Sequence, residues 1–324
     1  MSFLDKKNDI KLTETDKKIR LAAFFIGLII IAAFAVMYLF GFGKSFFSIE
    51  YKKNGTVYSY SPKNGKITLA TIDADKNLDF EGWDYVRPYN SGKTALLSSE
   101  NSDNTFKIGY YDGKKVKDIV SSCTDAAMAG KYCIYESDGE IYFSNVKDKS
   151  IDMKVRGPLS ETVELSPDGR YILLISGNNR QLNIFSIDIS GEKITGGTKL
   201  FESVKSASFT GRKHDIGFID SNNSFYFSSN GYADKEDENI SNLTTGSDTM
   251  SFYYLKNNGA VIRFNEGKKK EIASGIKDFA YIGNNKICVL KDFDGNKGNL
   301  YSYDGKEMKL IDNSVSSIER GYLK

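Results

Sequence analysis

The residues of this 324-residue sequence whose types and spacing most suggest chemistry are Asp292-Phe293-Asp294-Gly295-Asn296-Lys297-Gly298-Asn299. Oxygen ligands at alternate positions around a glycine turn can wrap a hard cation, so Asp292, Asp294 and Asn296 are the candidate calcium ligands. The run lacks the later bidentate glutamate of an EF-hand, and a plain hairpin turn accounts for the same residues. Zinc is not expected, since one histidine (His214) and three scattered cysteines (Cys123, Cys133 and Cys288) do not assemble three or four ligands. A Ser-His-acid system would depend wholly on His214, in a loop before Asp215-Ile216, and no Gly-x-Ser-x-Gly elbow occurs. The odd cysteine count argues against a disulfide framework. The expectation is a protein without enzymatic activity and without a cofactor.

The other conspicuous stretch is Phe80-Glu81-Gly82-Trp83-Asp84-Tyr85-Val86-Arg87-Pro88-Tyr89, which holds the only tryptophan. Trp83, Tyr85, Arg87 and Tyr89 together form a candidate surface for anchoring a partner protein or stacking on a sugar. Trp83 packing between two repeats as core is the competing reading.

These residues are carried by a chain of two unlike parts. Leu21 to Gly43, with Leu21 to Phe40 at its heart, contains no charge. A helix rising about 1.5 Å per residue needs about 20 apolar residues to cross a bilayer core, so this run predicts a transmembrane signal anchor. Six basic residues precede it (Lys6, Lys7, Lys11, Lys17, Lys18 and Arg20), against Lys44, Lys52 and Lys53 shortly after, which places the N-terminus in the cytoplasm. A cleaved signal is the alternative, with Ala33-Phe34-Ala35 as the small-x-small site, but cleavage there would leave Val36 to Phe40 exposed. The expected organisation is a cytoplasmic tail (1–20), the anchor (21–43), a linker (44–48) and an extracytoplasmic domain (49–324).

Removing the six basic and four acidic residues that precede the anchor from totals of 44 and 42 leaves 38 of each sign. A neutral domain has no electrostatic footprint for nucleic acid, and Lys268-Lys269-Lys270 reads as a solvated turn. Hydrophobic content of 40% with 13% aromatics suffices for a packed core rather than a disordered stalk.

From Ile49 onward one phrase recurs: an apolar strand, a polar turn, an aromatic-rich strand, a tight turn, a third strand and a connection. The second turn is the clearest marker, at Asn64-Gly65, Asp112-Gly113, Lys147-Asp148, Ser190-Gly191, Asn230-Gly231, Glu266-Gly267 and Asp304-Gly305. Two-residue hairpin turns of matching twist need positive φ, which glycine adopts freely. Aligning the phrases places Cys133 and Cys288 at one position in different repeats, where they act as small buried apolar residues. Repeats of this length suit an all-β propeller of seven blades, although six or eight also fit, because the connection from Tyr232 to Met250 shows no clear inner strand. Val315 to Glu319 would then complete the blade begun at Ile49.

In Leu165-Ser166-Pro167-Asp168-Gly169-Arg170-Tyr171 the sequence resembles the TolB-like and WD-repeat-like propellers, whose blades carry a Ser-Pro-Asp-Gly-(Lys/Arg) turn. Ser166, Pro167, Asp168 and Gly169 have a structural meaning as a turn, since proline presets φ at the first corner and Asp-Gly completes the reversal. The resemblance implies a protein-binding platform in the cell envelope, held to the membrane by a single pass, with an envelope protein as the expected partner. The alternative is a carbohydrate-binding or hydrolytic propeller with the Asp292 loop or the Trp83 cluster at its site. An enzyme should gather ionisable groups at one place, whereas a scaffold should not.

Overall fold

Paired residues of positive φ close the tightest hairpins. Asn54-Gly55 (φ 51° and 83°), Asp138-Gly139 (53° and 72°), Glu266-Gly267 (47° and 78°) and Asn284-Asn285 (53° and 57°) are each a two-residue loop whose twist matches its strands. In the computed structural model these turns join short antiparallel strands throughout. The structure describes residues 47–319 apart from 70–79, 81, 90–93, 130, 147–148, 157, 189–192, 212–214, 230–231 and 247. The apolar run from Leu21 to Phe40, His214 and the turns expected at Lys147-Asp148, Ser190-Gly191 and Asn230-Gly231 lie outside the described residues. No helix among the described residues is long and apolar enough to cross a membrane.

The strands in chain order are β1 (Ile49–Lys53), β2 (Thr56–Ser61) and β3 (Lys66–Leu69), then β4 (Tyr85–Tyr89), β5 (Thr94–Glu100), β6 (Phe106–Tyr111) and β7 (Val116–Cys123). Next come β8 (Asp125–Ala129), β9 (Tyr132–Ser137), β10 (Glu140–Asn145), β11 (Lys149–Arg156), β12 (Leu159–Leu165), β13 (Tyr171–Ser176), β14 (Gln181–Ile187) and β15 (Ile194–Phe201). They are followed by β16 (Val204–Phe209), β17 (Ile216–Asp220), β18 (Phe225–Ser229), β19 (Tyr232–Asp237), β20 (Ile240–Thr244), β21 (Phe252–Lys256), β22 (Val261–Asn265) and β23 (Lys268–Ala273). The last are β24 (Ile276–Gly283), β25 (Lys286–Lys291), β26 (Gly298–Tyr303) and β27 (Met308–Glu319).

Among the described residues, five sheets are four-stranded meanders in chain order: β4 to β7, β8 to β11, β12 to β15, β16 to β19 and β20 to β23. A sixth runs β24-β25-β26-β27-β1-β2-β3. Its long strand β27 pairs through Met308 to Asp312 with β26, and again at Val315 with Gly298, while Val315 to Glu319 pair with β1, so one strand ties the end of the repeat array to its beginning.

Apolar clusters sit between consecutive sheets. Ile134, Phe143, Ile172 and Phe185 join β8–β11 to β12–β15, while Leu173, Ile175, Val204 and Phe218 join the latter to β16–β19. Tyr51, Ile318, Cys288 and Leu290 do the same across β27. The first strands of successive sheets also contact one another, β8 with β12, β12 with β16, β16 with β20 and β20 with β24. Side chains that alternate across each strand therefore find an apolar partner on both faces, which is why the second strands read as continuous apolar runs. Sheets stacked this way make the fold all-β and propeller-like.

Three expectations need correction. An inner strand does exist between Tyr232 and Met250: it is β20, and it pairs with β21. A bulge between Ile240 and Asn242 breaks its period-two alternation, which hides it in the sequence. Lys268 to Lys270 are not a turn but the exposed start of edge strand β23, where lysines blunt an open edge. The turns at Asp112 and Asp304 are not two-residue hairpins either. Each aspartate Oδ1 accepts two backbone N–H groups, from Lys114 and Lys115 (2.9 and 3.1 Å) and from Lys306 and Glu307 (both 3.0 Å), which makes a longer Asx turn.

Candidate functional site

The Ser166-Pro167-Asp168-Gly169 motif joins β12 to β13. The buried Ser166 hydroxyl donates to Asp168 Oδ1 (2.7 Å) and accepts the Tyr171 (2.9 Å) and Arg170 (3.2 Å) amides, while Gly169 takes φ 72°. Every polar group of this motif named here has a local partner, so it positions strands. Ser166→Ala should cost about 1–2 kcal/mol in urea unfolding, since it leaves the Tyr171 amide without the hydroxyl oxygen.

Trp83 leads into β4 and is half-buried. Its ring lies so close over Gly109 on β6 that a Cβ there would sit 2.5 Å from the ring edge. Ala95, Leu97 and Tyr111 pack beside it, Phe80 meets Tyr111 edge-on at 5.6 Å, and the Lys107 ammonium stands 4.5 Å above the indole. Tyr85, Arg87 and Tyr89 fall on β4, paired with Ser98, Leu96 and Thr94. Pro88 falls on a strand at the edge of its sheet, the place to which proline within sheets is largely confined.

The Asp292 loop connects β25 to β26. Asp292 (φ 55°) accepts the Tyr301 hydroxyl at 2.8 Å and the Asn299 amide at 3.3 Å, which hold its carboxyl below the usual range. Asp294 Oδ1 accepts the Asn296 and Lys297 amides at 2.9 and 2.8 Å, and those bonds likewise depress it. The three candidate calcium ligands are thus in one loop, with the two carboxylates engaged in its own hydrogen bonds. Among the described residues no group of three or more His, Cys, Asp or Glu is placed to hold a metal. Cys123, Cys133 and Cys288 are buried and unpaired by disulfides, and burial pushes the Cys123 thiol up to about 12.

Two recurring polar clasps escaped the sequence reading. Asp312 on β27 accepts the Tyr51 hydroxyl (2.7 Å) and the Lys53 ammonium (2.5 Å) from β1. Asp237 on β19 accepts the Tyr254 hydroxyl (2.9 Å) and the Lys256 ammonium (2.6 Å) from β21. The first links neighbouring strands β27 and β1 of one sheet, and the second links two sheets, β16 to β19 and β20 to β23. Burial pushes each carboxyl up, but the lysine and tyrosine bonds outweigh it and both end below the usual range. The signal was present as Tyr51-Lys52-Lys53 and Tyr254-Leu255-Lys256 at one place in two repeats. An open cavity of about 400 Å³ beside the second clasp is lined by Lys235, Glu236, Asp237, Glu238, Asn239 and Lys256. Its charges are already matched: Lys235 with Glu238 at 2.7 Å, and Glu236 with Lys269 of β23 at 3.7 Å.

One carboxyl is set apart. Glu164 on β12 accepts the Ser208 hydroxyl (2.6 Å) and the Phe209 amide (3.3 Å) of β16. Among the described residues no second ionisable group joins these contacts.

Stacked four-stranded meanders without a gathered catalytic set among the described residues define the class: an all-β, propeller-like protein. No family model and no curated protein matches the chain. Solved structures do. A candidate 6-phosphogluconolactonase from Bacteroides uniformis ATCC 8492 is similar over 85% of this chain and 99% of its own, at 11% identity and TM-score 0.52. Another from Bacteroides fragilis NCTC 9343 is similar over 86% and 98%, at 14% identity and TM-score 0.51. A Lactobacillus plantarum protein is similar over 84% and 96%, at 10% identity and TM-score 0.51. At such identities the likeness establishes the fold and no activity.

Proposed function

We propose that this chain is a single-pass protein of the cytoplasmic membrane whose seven-bladed propeller, outside the membrane, is a non-enzymatic platform for another envelope protein. The observation that carries the reading is the uncharged run from Leu21 to Gly43, long enough to span and preceded by six basic residues. Seven blades follow if β27 is divided between two of them, its first half closing β24 to β26 and its second half opening β1 to β3. The equal count of acidic and basic residues beyond the anchor supports a protein rather than a nucleic-acid partner. Contact is assigned to the stretch around Trp83, Tyr85, Arg87 and Tyr89, on an edge strand and the connection leading into it.

The test is crosslinking and capture from intact cells with the full-length protein and with a Trp83→Ala, Tyr85→Ala variant whose folding is checked by circular dichroism. A discrete envelope protein held by the first and lost by the folded variant is the expected result. Absence of any captured protein with either would sink the platform. It would favour a hydrolytic or sugar-binding role, which the two neighbours described as candidate 6-phosphogluconolactonases make the second reading.

A further inference from the structure

Phe47, four residues beyond the uncharged run, is tied to the tail of β24. Its amide donates to the Ile282 carbonyl at 3.2 Å, its ring meets Tyr281 at 5.9 Å, and it packs on the apolar cluster of Tyr253, Phe279 and Tyr281. Several connections meet at that same end. The Asn284 amide and the Tyr281 hydroxyl both donate to Asp248, at 2.6 and 2.8 Å, in the connection from β20 to β21. Gly246 of that connection lies so close to Tyr281 that a Cβ would come within 2.2 Å of the ring. Thr249 in turn accepts the Gly211 amide, just after β16, at 2.8 Å. Glu164 near the end of β12 meets Ser208 near the end of β16, which brings the Ser166-Pro167-Asp168-Gly169 turn to this end as well. The first strands β12, β16, β20 and β24 thus all run toward the end that holds Phe47. At the other end, Lys297 in the Asp292 loop donates to Asn54 of the β1–β2 turn at 2.9 Å. The six residues of β25 separate that loop from the Phe47 end by about 20 Å. Trp83, ahead of the first strand β4, falls at this far end, where first strands begin.

We propose that Phe47 mounts the propeller end-on: the connections after β12, β16, β20 and β24 face the lipid headgroups, and the Asp292 loop and Trp83 face away from them. The inference rests on the reading of Leu21 to Gly43 as a membrane anchor and adds which end is left for a partner. Residues 44–46 alone separate Phe47 from Gly43, and four chain steps reach at most about 14 Å. That leash is shorter than β25 is long, so it keeps one end at the bilayer and leaves the other beyond it. Phe47 is fixed to the first strand of a sheet, where first strands gather, and not to an outer edge strand such as β23. The bilayer therefore meets an end of the propeller and not its rim.

Energy transfer from a dye on the protein to lipid with a rhodamine-labelled headgroup tests it. The full-length protein is placed in vesicles of phosphatidylethanolamine and phosphatidylglycerol, with the dye on Lys286→Cys or on Asn296→Cys. Both positions are exposed, while Cys123, Cys133 and Cys288 are at most 1% exposed and stay unlabelled. Transfer from Lys286→Cys should exceed that from Asn296→Cys about twofold or more, given the length of β25 between them, and Phe47→Ala should narrow the ratio. Equal transfer from the two positions, or more from Asn296→Cys, in protein that floats with the vesicles overturns the mount and leaves the anchor standing. A Phe47→Ala variant that keeps the full ratio overturns the part given to Phe47. Protein that does not float overturns the anchor and the mount together.

Discussion

Phe225→Ala should lower the unfolding free energy by about 4 kcal/mol, a large share of a marginal total. Phe225 on β18 has no exposed surface and meets three rings of the next sheet, Tyr254 at 4.8 Å, Phe264 at 5.3 Å and Phe252 at 5.9 Å. Ile219 and Ile240 close the same cluster. Truncation would forfeit both the transfer of the ring from water and the edge-to-face contacts, worth about 0.5–1.5 kcal/mol per pair. The surroundings are poorly placed to collapse into the gap, because Gly217 already sits against the Phe252 ring, where even a Cβ would come within 2.6 Å. Denaturant titration of the full-length protein in micelles would measure the loss. A value below about 1 kcal/mol would mean that the cluster rearranges freely and is not a fixed seam.

Asp312→Ala should cost about 2–3 kcal/mol, with the damage confined at first to β1 and the second half of β27. The carboxylate is 16% exposed and the Lys53 side chain 24%, so substitution leaves a half-buried ammonium and the Tyr51 hydroxyl without their acceptor. Lys53→Met should relieve much of that cost in the double variant, because it removes the orphaned charge, and this pairwise energy is what a double-mutant cycle reads. Since the Asp312 carboxyl is held below its usual range, its contribution is present above that range and disappears as pH falls through the folded value. Equal acid sensitivity of wild type and Asp312→Ala near about pH 3 would show that the clasp contributes nothing.

The parts of the fold legible in the sequence are those written locally. A tight pair ending in glycine, such as Glu266-Gly267, announces its turn because the backbone conformation is set by two residues. The Ser-Pro-Asp-Gly motif was legible for the same reason. The inner strand at Ile240 was not, since its bulge shifts the pairing between Ile240 and Asn242 and puts two residues where alternation allows one. Lys268 to Lys270 misled because three like charges read as solvated loop, whereas an edge strand pairs on one side only and leaves such side chains in water. The clasps and the Glu164 contact were illegible for a different reason: their partners lie 17 to 261 residues apart, and nothing local marks which distant side chain a carboxylate will meet. Of the candidate residues, Asp292 and Asp294 were recognisable as a loop rich in oxygen, but only the structure shows their carboxylates accepting bonds from Tyr301, Asn299 and the loop's own amides.

The shared strand β27 also governs the order in which the molecule can be finished. Strands β1 to β3 emerge early in synthesis, yet Tyr51 must wait for a partner 261 residues further along the chain. At roughly 5–20 residues per second that delay is on the order of tens of seconds, during which β1 offers an unpaired edge. The intervening sheets can form as they appear, each from neighbouring strands, but the first can be completed only by the last. A nascent chain therefore spends most of its birth as an open arc with one sticky end, and it is in that interval, more than in the finished fold, that a chaperone would find something to hold.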